Sequence, residues 1–255
     1  MDIIVCLKRV PDAAGRVDIN ATGLDIGRET AWILNPFDEI ALNAAIVLKE
    51  KLGGSVTLVH AGAEAGEELL RKGIALGADA AVYLKDPAVT SVDGITVARA
   101  LSSIIRSMPF DIILCGRRGS DTDAGITGPA IAAFLDIPVV SSIKTLDINP
   151  DARLATATAD NGATVVECML PALFTADRGL SELIYPTLSG IMNAKKTPIR
   201  TLDLKAAGVD IDAASKSSVR RERLSLPQKT RKGVILEGAL TEQVKAAARF
   251  LRRET

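Results

Sequence analysis

Along its first 140 residues the chain alternates short runs of aliphatic, often β-branched residues with longer segments of helical spacing. The runs at 3–7, 80–84 and 111–115 are apolar at nearly every position, 55–60 also reads as a strand, and another begins at Pro138-Val139-Val140. A strand covered on both faces reads this way, whereas a half-exposed antiparallel strand alternates apolar with polar. Between the runs lie helical patterns at 36–52, 64–76, 94–108 and 127–135. In the first of them Ala41, Ala44, Ala45 and Leu48 share a face, and Gly53-Gly54 stops it, as Gly77 stops the second. Strand and helix in turn imply an α/β fold, a doubly wound and mostly parallel sheet with residues 3–7 as its first, central strand.

The later sequence departs from this rhythm. Segments 154–158 and 164–169 flank Asp160-Asn161-Gly162, a hairpin turn signal, and predict an antiparallel hairpin at one sheet edge. From Ala194 the composition changes: Lys195-Lys196, a polar stretch at 205–216, and the cluster Arg220-Arg221-Glu222-Arg223. The expected division is an α/β domain over 1–193 and an extended C-terminal tail over 194–255. A terminal helix is predicted at 241–252, with Thr241 as N-cap. The charged cluster is either a solvated face or part of a tail wrapping a partner subunit, since the segment has too few apolar residues to fold alone.

Composition narrows the function classes. Lys plus Arg and Asp plus Glu both total 31 of 255 residues, so the basic excess that displaces counterions from nucleic acid is missing. Aromatic residues make up 3%, too few for base-stacking platforms. No apolar run reaches the roughly 18 residues of a membrane span, and the first residues lack the pattern of a signal peptide, so a cytoplasmic location without membrane insertion is expected. Cys6, Cys115 and Cys168 are far apart, with His60 the only histidine, and predict inert thiols with neither disulfide nor metal site.

The segment 116–129 is the most informative for chemistry. Gly116, Gly119, Gly125 and Gly128 punctuate a loop that follows a buried strand and opens a helix. Backbone N–H groups there can converge on one point, assisted by the helix dipole, which suits a phosphate. The competing reading is a turn merely capped by Ser120 and Asp121. It is neither a Walker loop nor a Gly-x-Gly-x-x-Gly fingerprint. Asn35-Pro36-Phe37-Asp38 is an ordinary helix start, yet the sheet brings it to the same end as residues 6–9 and His60-Ala61-Gly62. Together these can enclose an adenosine.

A catalytic constellation is not evident. His60 reads either as a packed residue or as a ligand contact, and Asp121 and Asp123 read as loop-forming rather than as an acid/base pair. A nucleotide-binding protein is favoured over a self-sufficient enzyme. A regulatory nucleotide binder without redox chemistry stays open, and an adenylating enzyme is poorer because no lysine-bearing phosphate motif is present.

Several ordered segments resemble the β subunit of electron transfer flavoproteins: 5–12 (VCLKRVPD), 35–41 (NPFDEIA), 70–79 (LRKGIALGAD), 110–116 (FDIILCG), the 120–128 loop, 170–173 (LPAL) and 188–196 (LSGIMNAKK). The resemblance implies a heterodimer that passes electrons from flavoprotein dehydrogenases, such as the acyl-CoA dehydrogenases of fatty acid oxidation, to a membrane quinone oxidoreductase or another acceptor. The redox FAD would lie in the α subunit. This chain would act as an electron carrier subunit holding AMP as a structural ligand or, in electron-bifurcating members with NADH as donor, a second FAD. The nucleotide site so implied comprises Cys6, Asn35, Pro36, Phe37, Asp38, Ala61, Gly119, Ser120, Asp121, Thr122, Asp123, Ala124, Gly125, Ile126, Thr127 and Gly128. A partner-recognition loop is implied at 185–196, with Leu188 as the anchor beside Tyr185, Ile191 and Met192; the competing reading makes Leu188 helix core.

The resemblance departs at two places. Ala157-Thr158 stand where the family has an Arg-Glu pair, and Ile126 stands where it has Gln. Thr122 between the two aspartates differs from the Gly of bifurcating members, whereas Pro129 after Gly128 matches them. AMP is the favoured ligand.

Overall fold

Strand β1 (Asp2–Leu7) is buried from Ile3 to its end because it lies in the middle of a seven-stranded sheet with helices on both faces. The computed structural model describes residues 1–255 except 28, 64, 91–92, 160–161, 210–218, 220, 227–232 and 254–255. A small antiparallel pair, β2 (Arg9–Pro11) with β3 (Trp32–Leu34), leads into helix α1 (Pro36–Leu52). Then come β4 (Ser55–Gly62), α2 (Gly66–Leu76), β5 (Ala80–Lys85), α3 (Gly94–Ile105), β6 (Ile112–Gly116) and α4 (Thr127–Leu135). The chain continues through β7 (Val139–Ile143), β8 (Thr145–Asn149), β9 (Leu154–Ala159), β10 (Thr164–Met169) and β11 (Ala172–Ala176). Helix α5 (Leu188–Lys196), β12 (Ile199–Leu202) and α6 (Leu240–Arg253) follow.

The large sheet runs β12-β5-β4-β1-β6-β11-β7, every neighbouring pair parallel. The alternation of β1 divides the core. Ile3, Val5 and Leu7 pack with α1, α2 and α5 on one face, whereas Ile4 and Cys6 pack with α3 and α4 on the other. Local chemistry sets the helix ends: Pro36 and the acidic Asp38 and Glu39 begin α1, Lys49 and Lys51 lie in its last turn, and Gly53 leaves it at φ +72°. Asp93 caps α3, its side chain accepting the Thr96 N–H at 2.8 Å.

The fold class is the expected one, with differences in detail. The hairpin of β9 and β10 is antiparallel, but it belongs with β8 to a separate three-stranded sheet. Gly162 stands at φ +89°, while Asp160 and Asn161 lie outside the described residues. The helical pattern at 94–108 ends at Ile105, and that at 64–76 begins at Gly66, with Glu64 outside the described residues.

The change of composition at 194 does not end the compact body. Ala194 is buried, β12 extends the large sheet alongside β5, and Leu204 and Val209 join the core beside α3. As an edge strand with Arg200 and Thr201 exposed, β12 carries too little apolar sequence to announce itself. The chain forms two compact units, 1–223 and 224–255. Most of the 205–216 stretch and Arg220 lie outside the described residues. In the second unit α6 starts at Leu240, so Thr241 stands inside the helix rather than at its cap, and Leu240, Val244, Ala247, Ala248 and Leu251 fall on one stripe. Among the described residues no helix is long and apolar enough to cross a membrane.

Candidate functional site

Strand order reverses between β1 and β6. From β1 the chain builds outward through β4 and β5, then returns to place β6 on the other side. Helix α1, leaving β1, covers one face and α4, after β6, covers the other, so the connections diverge at the carboxyl ends of these two strands. Such a switch point is where open α/β sheets hold ligands. The 117–126 loop and the Asn35-Pro36-Phe37-Asp38 turn meet there.

Asn35 and Asp38 are buried polar residues that knit the two strand ends together. The Asn35 side chain donates to the Arg118 carbonyl at 2.9 Å and accepts the Ser120 N–H at 3.2 Å, while its backbone N–H reaches the Lys8 carbonyl at 2.9 Å. The Asp38 carboxylate accepts the N–H groups of Lys8 and Gly116, each at 2.7 Å. Burial pushes the Asp38 carboxyl up to about 7, against the lowering effect of bonds from Gly116, Lys8 and Asn35. Gly116 allows the approach, since a Cβ there would lie 2.4 Å from Asp38 Oδ1 and 2.7 Å from Phe37 Cβ. Lys8 Nζ pairs with Asp121 at 2.7 Å, and Arg118 with Asp123 at 2.7 Å, tying down the loop's outer side.

The loop itself is mostly exposed at 120–124. Asp123 and Gly125 adopt left-handed backbone, φ +56° and +63°. No side chain caps the α4 N-terminus, and the N–H groups of Thr127 and Gly128 in its first turn have no intrahelical acceptor. A Cβ on Gly128 would stand 2.7 Å from Cys115 Sγ and 2.9 Å from Thr175, so glycine lets this helix end sit directly on β6 and β11. Uncapped helical donors beside a glycine-bearing loop match a phosphate group in shape and charge. Ala61 lies one residue past the Leu7–His60 pairing, at the β4 end bordering the same crevice.

The thiols and the histidine turn inward. Cys6 and Cys115 are register partners on β1 and β6, packed in the α3/α4 core. Burial, with the Asp38 charge second, pushes the Cys6 thiol up to about 12; burial also raises Cys115. Both stay protonated at neutral pH. His60 is buried, with Nδ1 2.9 Å from the Leu7 carbonyl and its ring stacked on Tyr83, and burial lowers its pKa. It is a packed residue. Among the described residues no three His, Cys, Asp or Glu side chains gather in a way that could hold a metal ion.

The model of the electron transfer flavoprotein domain matches residues 23–207. Electron transfer flavoprotein subunit beta of Bacillus subtilis (strain 168) is 36% identical over 256 residues, covering 100% of this chain and 98% of that protein. The subunit beta of Megasphaera elsdenii is 34% identical over 263 residues, covering 96% of each chain. The chain belongs to the electron transfer flavoprotein β-subunit family. A relative named as subunit CarD of the caffeyl-CoA reductase-Etf complex of Acetobacterium woodii (strain ATCC 29683 / DSM 1030 / JCM 2381 / KCTC 1655 / WB1) is 34% identical over 216 residues, 84% of this chain and 82% of that one.

In this electron transfer flavoprotein chain the 185–196 segment has a rigid base and an exposed tip. Ala194 is buried, the Arg71 guanidinium reaches the Ala194 carbonyl, and a Cβ on Gly190 would lie 2.3 Å from the Ala75 carbonyl oxygen, so α5 sits close on α2. Thr187 caps the helix by accepting the Gly190 N–H at 3.0 Å. Leu188 nevertheless stays 78% exposed and Tyr185 82%, with Ile191 and Met192 partly exposed beside them. Leu188 is therefore not helix core. Ala157 and Thr158 lie on β9, Ala157 buried and Thr158 hydrogen-bonded to Thr145 at 2.7 Å.

Sequence reasoning brought residues 6–9 and 116–129 to this crevice but did not single out Lys8 and Arg118, which hold the loop through Asp121 and Asp123. Lys8 was findable as a charge directly behind a buried strand.

Proposed function

We propose that this chain is the β subunit of a heterodimeric electron transfer flavoprotein and holds AMP as a structural nucleotide at the β1/β6 switch point. The observation that carries the reading is the bracing of the glycine-bearing loop by Asn35 and Asp38 at that point, beside an uncapped helix N-terminus. The phosphate would be held by the backbone at Gly125, Ile126, Thr127 and Gly128, with Phe37, Ala61 and the end of β1 bordering the adenosine. FAD, bound in the α subunit, supplies the redox chemistry. This chain's part is to fill and stiffen the nucleotide site and to present a docking tip to its partners.

Leu188 and Tyr185 suit docking of flavoprotein dehydrogenases such as acyl-CoA dehydrogenases: a small apolar anchor on a fixed base can hold a transient complex. A quinone oxidoreductase or another acceptor would take the electrons onward. The apolar stripe of α6 and the preceding polar segment suit packing on the α subunit.

Pro129 and the likeness to CarD favour a second reading, in which this subunit binds a second FAD and NADH is the donor. Co-expression with the α subunit, acid release of ligands and chromatography separate the two. One AMP and one FAD per heterodimer support the first, two FAD without AMP support the second, and the failure of any flavin-containing heterodimer to form removes both.

A further inference from the structure

Helix α3 stops short of the end of the sheet that it covers. Its apolar spacing continues to Met108, but the helix ends at Ile105, and Arg106 turns its guanidinium aside to the Phe134 carbonyl at the end of α4. The strands beneath run on. Val59 of β4, Val82 of β5 and Leu202 of β12 pack on the α3 face, and side chains alternate along a strand. Ser55 and Thr57, Ala80 and Arg200 therefore stand on that same face, nearer the amino ends of their strands. The register agrees: Thr57 is paired with Ala80, and Arg200 with Val82.

Where the helix is missing, a hollow of about 350 Å³ opens. This lies within the range of small-molecule sites, about 300–1,000 Å³. Because the strands are parallel and the nucleotide crevice is at their carboxyl ends, the hollow is at the opposite end of the sheet. Its floor is made of small side chains, and Ala80 there is exposed because nothing larger fills the space. Met108 and Pro109 border it on the α3 side, and Pro198 and Arg200 on the β12 side.

Arg200 is the one charged residue lining the hollow, and among the described residues its guanidinium has no carboxylate partner. The acids at this end of the sheet are already engaged. Asp79 is held by Lys49 at 2.6 Å and by the Val56 N–H at 2.8 Å, and Asp111 by Arg153 at 3.3 Å and by the Asp2 N–H at 3.0 Å. Asp2 accepts the Ser55 hydroxyl at 2.7 Å. An apolar concavity with a single unanswered cation at its rim selects a ligand that is apolar along its body and anionic at one end.

We propose that this hollow binds a small carboxylic acid, its carboxylate on Arg200 and its apolar body over Ala80 and Val82 against Met108 and Pro109. Guanidinium meets a carboxylate through two parallel N–H bonds, which satisfy both oxygens. A phosphate would leave a further charged oxygen facing Met108 and Val82 without a donor, so the lining favours the carboxylate. The proposal is independent of the nucleotide reading.

The test is calorimetric titration of the full-length chain with phenylacetate and with its neutral counterpart phenylacetamide, checked by saturation-transfer NMR. Phenylacetate is expected to bind saturably below about 10 mM, and about tenfold more tightly than the amide, the worth of one charge-assisted hydrogen bond. Arg200→Gln should bring the acid down to the affinity of the amide, and Ala80→Leu, which fills the hollow, should abolish binding of both. Both positions are exposed, so neither substitution disturbs the core. Absence of saturable phenylacetate binding overturns the site. Equal affinities for acid and amide in the native chain, or a preference for the acid that survives Arg200→Gln, overturn the role of the guanidinium. Binding unchanged in Ala80→Leu would place the ligand elsewhere and overturn the assignment.

Discussion

The carboxylate of Asp38 accepts the backbone N–H of Gly116 at 2.7 Å, although 78 residues separate them in the chain. With its other oxygen on the Lys8 N–H, it joins the ends of β1 and β6 just beyond their ladder, where strand order reverses. Two partly buried hydrogen bonds from the backbone depend on this one side chain.

Asp38→Asn tests that dependence. A carboxamide offers one oxygen and one N–H₂ group, so one of the two backbone donors faces another donor. The expected cost is about 1 kcal/mol of folding stability, the worth of one hydrogen bond lost at a partly buried site. AMP affinity should fall as well, because the loop loses its anchor at Gly116. Urea unfolding with a matched AMP titration reads both, and a variant as stable as the native chain would show that the bond is dispensable.

Asp38 also fixes a pH dependence. Its folded value of about 7 lies above its ordinary 3.8, so between these values the folded state holds a proton that the unfolded state has released. Stability from this group is therefore full below about pH 4, declines as pH rises through 7, and is flat above it. The slope approaches about 1.4 kcal/mol per pH unit within the window. His60 acts in the opposite sense: burial lowers its pKa, so stability is lost as pH falls below 6.5. Comparing unfolding free energies of native and Asp38→Asn chains from pH 5 to 8 isolates the carboxylate; parallel curves would refute the raised pKa.

The large sheet was legible because both faces of its central strands are covered, so 3–7 and 111–115 are apolar at nearly every position. Of the strands missed, β11 is buried throughout and its apolar run (ALFTA) was there to be read, whereas β12 and β8 carry no local signature. β12 is an edge strand of four residues, and β8 has only Leu146 and Ile148 pointing toward the core. At the site, glycines and the Asn35–Asp38 turn were readable as patterns, but Lys8–Asp121 is a long-range pairing that no spacing within one segment encodes.

Gly125→Val probes the loop's backbone. Gly125 sits at φ +63°, a conformation a β-branched residue adopts only under strain, and its Cβ would lie 3.2 Å from the Arg117 carbonyl oxygen. The first turn of α4 should shift and AMP affinity drop by about tenfold or more, as 1–2 kcal/mol of strain would produce. Nucleotide content of the purified heterodimer, measured after acid release, checks this; full retention would place the phosphate elsewhere.

Leu188→Ala separates docking from folding. The side chain is 78% exposed at the first turn of α5, while the helix is held by Ala194, Gly190 and Arg71 on its other side. Removing an exposed side chain that supports no packing should change stability by less than about 0.5 kcal/mol. Flavin and AMP content should likewise stay as they are. Electron transfer from an acyl-CoA dehydrogenase should slow, with the loss in the apparent affinity for the dehydrogenase, because a small interface concentrates its binding energy in such an anchor. Stopped-flow reduction across a range of dehydrogenase concentrations distinguishes the cases. Unchanged rates at limiting dehydrogenase would exclude Leu188 as the anchor, and loss of flavin would mean instead that the 185–196 segment faces the α subunit.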